Sequence, residues 1–438
     1  MCLGRASVVG GSYNTIRAEE STIAGGTDNK VSGKGARSFI GGGSLNEVFA
    51  ADATIGGGSN HIVSDPFGGV FGGDSNTVAG FAAHIGGGSL NTASKNMSAV
   101  VGGVKNTVAG DFAAIGGGSH NRALDEASVV GGGSANTAYG LGSTVAGGVD
   151  NSASGFTKAV EYATVGGGYS NAASAASAAV AGGRNNDASG YAAAIGGGEG
   201  NYGSGIYTSI GGGHGNNGKG QSSTVGGGKW NNVGQASSYS TIGGGLSNKI
   251  TAAPYAAVAG GRQNTVSGQY GTIAGGYRNT AAGVSSAVAG GQENEAPGSF
   301  SAVLGGVSNT ASGSSSVALG ARARATHVSS AAFGFSSSTA NICNSVLNGS
   351  VNICVDSGVY VNGELLNMTA LSSIPSGTVI TALTERVDTL WRLNREQNQT
   401  IDSLESQLAD AQVSSMHWPT GNPRVNCVVY NTLLDAMF

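Results

Sequence analysis

The chain has 438 residues, 80 of them Gly and only 6 Pro, with 39% hydrophobic, 6% aromatic and 11% charged residues and a formal net charge of −4. Without a strict Gly-X-Y period and with so little proline it is not collagen, and its low charge and ample hydrophobic content are the reverse of the disordered signature. The acidic balance offers no polybasic tract for nucleic acid or a membrane surface, and no apolar run approaches the ~18 residues of a bilayer span.

The N-terminal residues Met1-Cys2-Leu3-Gly4-Arg5 run straight into a repeat. They contain no apolar stretch of the roughly 7–15 residues that a secretory signal needs. The expectation is a chain that reaches its surface without that route, as virion proteins do, or a piece of a longer product. Aligning on the Val or Ile before each Gly pair gives Val8, Ile23, Ile40, Ile55, Val70, Ile85, Val100 and Ile115, and so on to Val303, mostly 15 residues apart. Longer steps, such as Val145 to Val165, are expected to hold loop insertions. Asn stands six residues after this anchor (Asn14, Asn29, Asn46, Asn76, Asn91, Asn106, Asn121), and a second apolar column stands eight after it (Ile16, Val31, Val48, Val63, Val78).

Two apolar columns per repeat predict two short strands per turn facing one narrow lumen, a repeat architecture in which each turn buries its inner face on the next. Small residues two positions before the anchor (Ala6, Ser21, Ser38, Ala53) keep its phase under strand alternation. The glycines are expected to supply positive φ at a corner, and Asn, which tolerates the left-handed conformation, to form a hydrogen-bonded ladder. At Ile55 the Asn position holds His61, with Asn60 one residue early, so that turn is expected to be irregular. A rise of ~4.8 Å over about 23 turns makes a rod on the order of 110 Å.

From Val303 the pattern changes: Ser316-Val317-Ala318-Leu319-Gly320 moves the bulky residue one position along, as do Phe333 and Leu347, and the period shortens to 14. This SVALG segment with its alternating alanines (Ala321, Ala323, Ala325) resembles the head repeat of trimeric autotransporter adhesins, and the upstream GGG-x-x-N units resemble a variant of it. The resemblance covers roughly residues 1–350. It implies a left-handed parallel β-roll that assembles as a homotrimer. That family's membrane-anchor barrel has no counterpart in this sequence.

The remaining chain reads as a strand and linker over 351–377, a coiled coil over 378–412 and a foot or loose tail over 413–438. The segment Val361-Asn362-Gly363 is similar to one that precedes the coiled coil in many phage and virus fibres. After Pro375 the a and d positions are Ile380, Leu383, Val387, Leu390, Asn394, Gln397, Ile401, Leu404, Leu408 and Ala411, a heptad pattern that predicts a trimerisation clamp with a register-setting polar pair. Its alternative is a helix packed on its own solenoid. The fold class expected is thus an all-β solenoid of about 15 residues per turn followed by an α-helical trimeric coiled coil.

No catalytic pattern emerges. The six His lie scattered and read as exposed loop residues; the GGG triplets lack the GK[ST] ending of a phosphate loop. Asp28, Asp74, Asp150 and Asp187 are too sporadic for a calcium-binding β-roll, and Glu161, Asp187, Glu199, Glu293 and Glu295 form no recurring carboxylate pair of the kind a polysaccharide-hydrolysing tailspike needs. No cofactor or metal is expected. Cys343 and Cys354 read as buried free thiols, with pairing as the alternative. A column of threonines (Thr15, Thr77, Thr92, Thr107, Thr137, Thr265, Thr280, Thr310) suggests an ice-binding face, but other residues interrupt it.

If the chain holds a ligand site, the columns four and five residues after the anchor are where it is expected. They carry Tyr169, Arg184, His214, Lys229, Trp230, Arg262, Tyr277 and Arg278. Rings beside cations suit a glycan, whose C–H faces stack on aromatics; the alternative is a solvated edge. The function expected is a non-enzymatic, self-associating fibre or adhesin subunit on a virion or outside a cell, with a host-surface glycan or protein as its partner and with neither nucleic acid nor membrane insertion.

Overall fold

The structure, a computed structural model, describes residues 5–154, 161–335 and 342–355 together with two short strands beyond them. The chain divides into two units, Met1–Ser357 and Gly358–Phe438. The first is a parallel β-solenoid at about 15 residues per turn. Among the described residues no helix is long and apolar enough to cross a membrane.

Each turn contributes two strands, mostly of two residues. The anchors lie in the first set, which stack into a 23-stranded parallel sheet from Ser7–Val8 to Val351–Val355. The second set forms a parallel ladder from Thr15–Ile16 to Cys343–Asn344. A third column of isolated parallel bridges, four residues after the anchor, runs from Ser12 to Val307. Register is strict: Ala114 and Ile115 pair with Val129 and Val130 one repeat on. It survives the 20-residue step, where Thr144 and Val145 pair with Thr164 and Val165.

Both apolar columns point inward. Ile23, Ile40, Ile55, Val63, Val78, Ile115 and Val130 are fully buried, and the small residues before the anchors, such as Ser21 and Ala113, close the lumen beside them. A lumen only this wide must seat polar atoms without water, so each needs a protein partner. The Asn column does this. Asn121 donates from Nδ2 to the carbonyls of Gly117 (2.8 Å) and Gly133 (2.9 Å), while its Oδ1 accepts the backbone N–H of Asn136 at 3.0 Å.

Two expectations are corrected. The left-handed non-glycine residues fall mainly in two columns, three before the anchor and five after it (just before the Asn), and the latter holds almost any type: Tyr13, Leu45, His120 and Trp230 all have φ near +57°. The Asn itself is buried and donates. Nor is the His61 turn irregular. Ile62 and Val63 stay in register with Glu47 and Val48 on one side and with Thr77 and Val78 on the other. His61 is fully buried, not an exposed loop residue, because its Nδ1 accepts the Asn76 N–H at 3.1 Å as an Asn oxygen would.

From Val303 the sheet register shifts, and the step falls to 14 residues, with Val317 and Ala318 opposite Ala331 and Ala332. The lumen is then lined by Ala318 and Ala332, while Leu319 and Phe333 pair on the outer face. Cys343 and Cys354 form a disulfide with Cα atoms 5.6 Å apart, against the expectation of free thiols. The pair is reachable because a turn brings the second ladder's last strand back against the first sheet.

In the second unit, Tyr360–Val361 and Glu364–Leu365 form an antiparallel pair. The predicted clamp (Ile380, Leu383, Val387, Leu390, Asn394, Gln397, Ile401, Leu404 and Leu408) and the 413–438 segment lie outside the described residues.

Candidate binding corner

The residues four after the anchor are held by the third bridge column. Tyr169, Arg184, Glu199, His214, Lys229, Leu246, Arg262, Tyr277 and Gln292 therefore follow one another on successive turns. Next to them the left-handed backbone at Trp230 and Arg278 turns those side chains outward. A corner built this way displays its side chains at the spacing of the turns, ~4.8 Å, whatever their chemistry.

Every predicted contact residue stands on this corner, in three groups. Tyr169, about half exposed, lies one turn from Arg184. Arg184 pairs with Glu199, its Nε donating to Oε1 at 3.1 Å, and His214 Nδ1 approaches the other carboxylate oxygen at 3.6 Å. The Arg184 hydrogen bond and charge hold the Glu199 carboxyl below its ordinary range, with a smaller contribution from His214.

The second group surrounds Trp230. Lys229 Nζ lies 4.2 Å from the indole centroid, and the His214 ring meets the indole edge-on at 6.1 Å. In the third, Tyr277 is flanked by Arg262 at 5.5 Å and Arg278 at 4.9 Å. Arg278 also reaches Gln263 Oε1 at 3.2 Å and Glu293 at 3.7 Å. These cation–ring contacts orient rings and charges together, each adding up to about 1 kcal/mol at exposed sites.

Sequence reasoning missed Glu199 as a member of the corner, and it missed a second aromatic column. Tyr239, Tyr255 and Tyr270 stack with centroids 5.2 Å apart, each about half exposed and each in the left-handed conformation. Their 16- and 15-residue spacing matched the repeat and was the available signal. Because the rings face one another, their edges and hydroxyls meet solvent, not their flat faces.

Other candidates fare less well. Among the described residues no group of three or more His, Cys, Asp or Glu could hold a metal ion. Asp187 is half-buried, and burial raises its carboxyl against a weak Ser174 contact at 3.5 Å. The threonine column runs unbroken only over Thr77, Thr92 and Thr107 and again over Thr265 and Thr280, with Arg122 and Glu295 taking the position next. No protein-family model and no curated protein matches the chain.

Proposed function

We propose that this chain is a structural fibre subunit that presents weak surface-binding sites on a stiff rod. The observation that carries this is the corner itself: aromatic–cation groups around Trp230 and Tyr277 on an uninterrupted parallel ladder that holds its side chains at a fixed spacing. Such a rod resists local opening because its backbone is paired from turn to turn, and it adds up individually weak contacts through avidity.

The finer reading is a left-handed roll of the trimeric-adhesin kind, assembled as a homotrimer by a coiled coil at Ile380–Leu408 and displayed on a virion or another extracellular surface. One feature of the solenoid supports self-association. In its last turns Leu319 and Phe333 stand on the outer sheet face with Ile353 next in register, and Leu304 and Ile353 are each more than a third exposed. Burying that row against copies of itself would remove apolar surface that one chain leaves in water.

Binding is preferred over hydrolysis for a chemical reason. A glycosidase acid must hold a proton near neutrality, and Arg184 pulls Glu199, the corner's best-placed carboxylate, the other way.

The test is the solution mass by light scattering of the full chain and of a version ending before Thr378. A trimer that loosens on truncation supports the fibre reading; a full-length monomer overturns it. Release of reducing ends from a polysaccharide would move the chain to the tailspike class.

A further inference from the structure

Charge is distributed unevenly along the rod. Between Glu199 and Glu293 there is no Asp or Glu, yet the interval holds Lys219, Lys229, Lys249, Arg262 and Arg278. The rest of the chain therefore carries more than the whole negative balance of −4.

The solenoid turns this interval into a stripe. The five cations fall one to a turn on five successive turns, those anchored by Ile210, Val225, Ile242, Val258 and Ile273. Lys229, Arg262 and Arg278 stand on the candidate corner, four or five residues after the anchor. Lys249 begins a strand of the second ladder, and Lys219 follows one, so both lie on the outer face next along the perimeter. All five are exposed. The stripe rises ~19 Å from first to last and is at most ~17 Å wide, from the turn rise and the length of extended chain.

Three cations outside the interval are stacked on acids of the neighbouring turn. Lys30 meets Glu47, Arg37 meets Asp52 and Arg184 meets Glu199, each on the neighbouring turn. In the stripe only Arg278, at its end, has such a partner, Glu293. Lys219, Lys229, Lys249 and Arg262 have no ion pair among the described residues.

We infer that this stripe binds a linear acidic polysaccharide carrying about one carboxylate per sugar. The inference rests on the glycan-contact reading of the corner and names the glycan. Charge density favours the class: one strand of duplex DNA presents a phosphate every ~3.4 Å of axis, denser than the stripe's one cation per ~4.8 Å turn, whereas a polysaccharide with one carboxylate per sugar is more sparsely charged. The rings of Trp230 and Tyr277, packed against Lys229, Arg262 and Arg278, orient those cations along the corner. A linear polyanion laid along the corner then passes Lys229, Arg262 and Arg278, with Lys219 and Lys249 beside it on the next face, and releases counterions on binding.

The experiment uses the full chain and a fluorescent oligomannuronate of about eight sugars, short enough to occupy one stripe, read by anisotropy at several salt concentrations. Wild type binds it, with affinity falling steeply as salt rises, and a neutral oligomannoside does not compete. The triple variant Lys229→Gln, Lys249→Gln, Arg262→Gln loses at least ~10-fold in affinity and has a shallower salt slope. The variant Lys95→Gln, Lys105→Gln, which removes two exposed cations outside the interval, binds as wild type does. Unchanged melting confirms that both variants fold.

Absence of wild-type binding at low salt, equal losses in the two variants, or tighter binding of duplex DNA of equal charge would each overturn the inference. One stripe suffices for the short probe. A failure here therefore leaves the trimeric fibre standing, and a monomer in light scattering leaves the stripe standing.

Discussion

Asn106 Oδ1 accepts the backbone N–H of Asn121 at 3.0 Å, and the same contact recurs one turn on, where Asn121 Oδ1 accepts the N–H of Asn136. The two side chains thus act as one link of a polar chain inside an otherwise apolar lumen. Each link satisfies a buried N–H and two glycine carbonyls.

Replacing Asn121 by Ala removes those partners together. It leaves the Asn136 N–H and the Gly117 and Gly133 carbonyls short of one bond each. At about 1–3 kcal/mol for each buried group left unsatisfied, partly offset by local relaxation, a loss of roughly 3 kcal/mol is expected. Hydrogen exchange will register it as faster exchange in the turns around Ile115 and Val130; unchanged protection there would contradict the ladder's role.

His61 is the defective link. Its Nδ1 accepts from Asn76, while its buried Nε2 approaches the Gly57 and Gly73 carbonyls without closing a well-formed hydrogen bond to either. His61→Asn supplies the donor that the other turns have and raises stability by roughly 1 kcal/mol. Burial lowers the pKa of His61, against the opposing influence of Asp74. The folded ring therefore takes up a proton less readily than the unfolded one, and wild type loses stability as pH falls below the unfolded value of ~6.5. Melting curves from pH 8 to pH 5 are expected to show wild type losing more than His61→Asn. Parallel curves would rule out a buried neutral ring.

Gly102 and Gly103 are neighbours with opposite tolerance. Gly103 has φ +94°, and a Cβ there would collide with the Gly118 carbonyl of the next turn and crowd Asn106 Nδ2; a Cβ on Gly102 meets nothing within 4 Å. Gly103→Ala is therefore expected to cost several kcal/mol and Gly102→Ala less than about 1 kcal/mol. Thermal melting of the two variants side by side checks this, and equal effects would disprove it.

The disulfide closes the end of the solenoid across a separation of 11 residues. A non-reducing digest is expected to yield a linked peptide pair containing Cys343 and Cys354. By the loop-entropy argument, reduction should remove roughly 2–3 kcal/mol of stability locally. The exchange of Ala323–Ala325, which pair with the Cys343 strand, should then rise while the Ile115 region stays protected. Recovery of the two peptides unlinked would refute the pairing.

Much of this fold was legible before any coordinates. Period, anchor column and Asn column specify two inward strands per turn, because a lumen one side chain wide accepts only small apolar residues and a polar residue that can bond up and down the stack. The corner residues were legible for the same reason, since a strict period turns sequence spacing into spatial order. What the spacing left open depended on neighbours one turn away. Only the structure shows that Glu199 accepts a hydrogen bond from Arg184, or that Tyr239, Tyr255 and Tyr270, whose spacing fits the repeat, lie ring against ring. The left-handed column escaped because residues as different as Leu45 and Trp230 hold it, the strain being carried by the backbone pairing of the turns on either side and not by any side-chain preference. His61 escaped likewise: its type suggests an exposed loop, whereas its burial is imposed by the turns stacked above and below it.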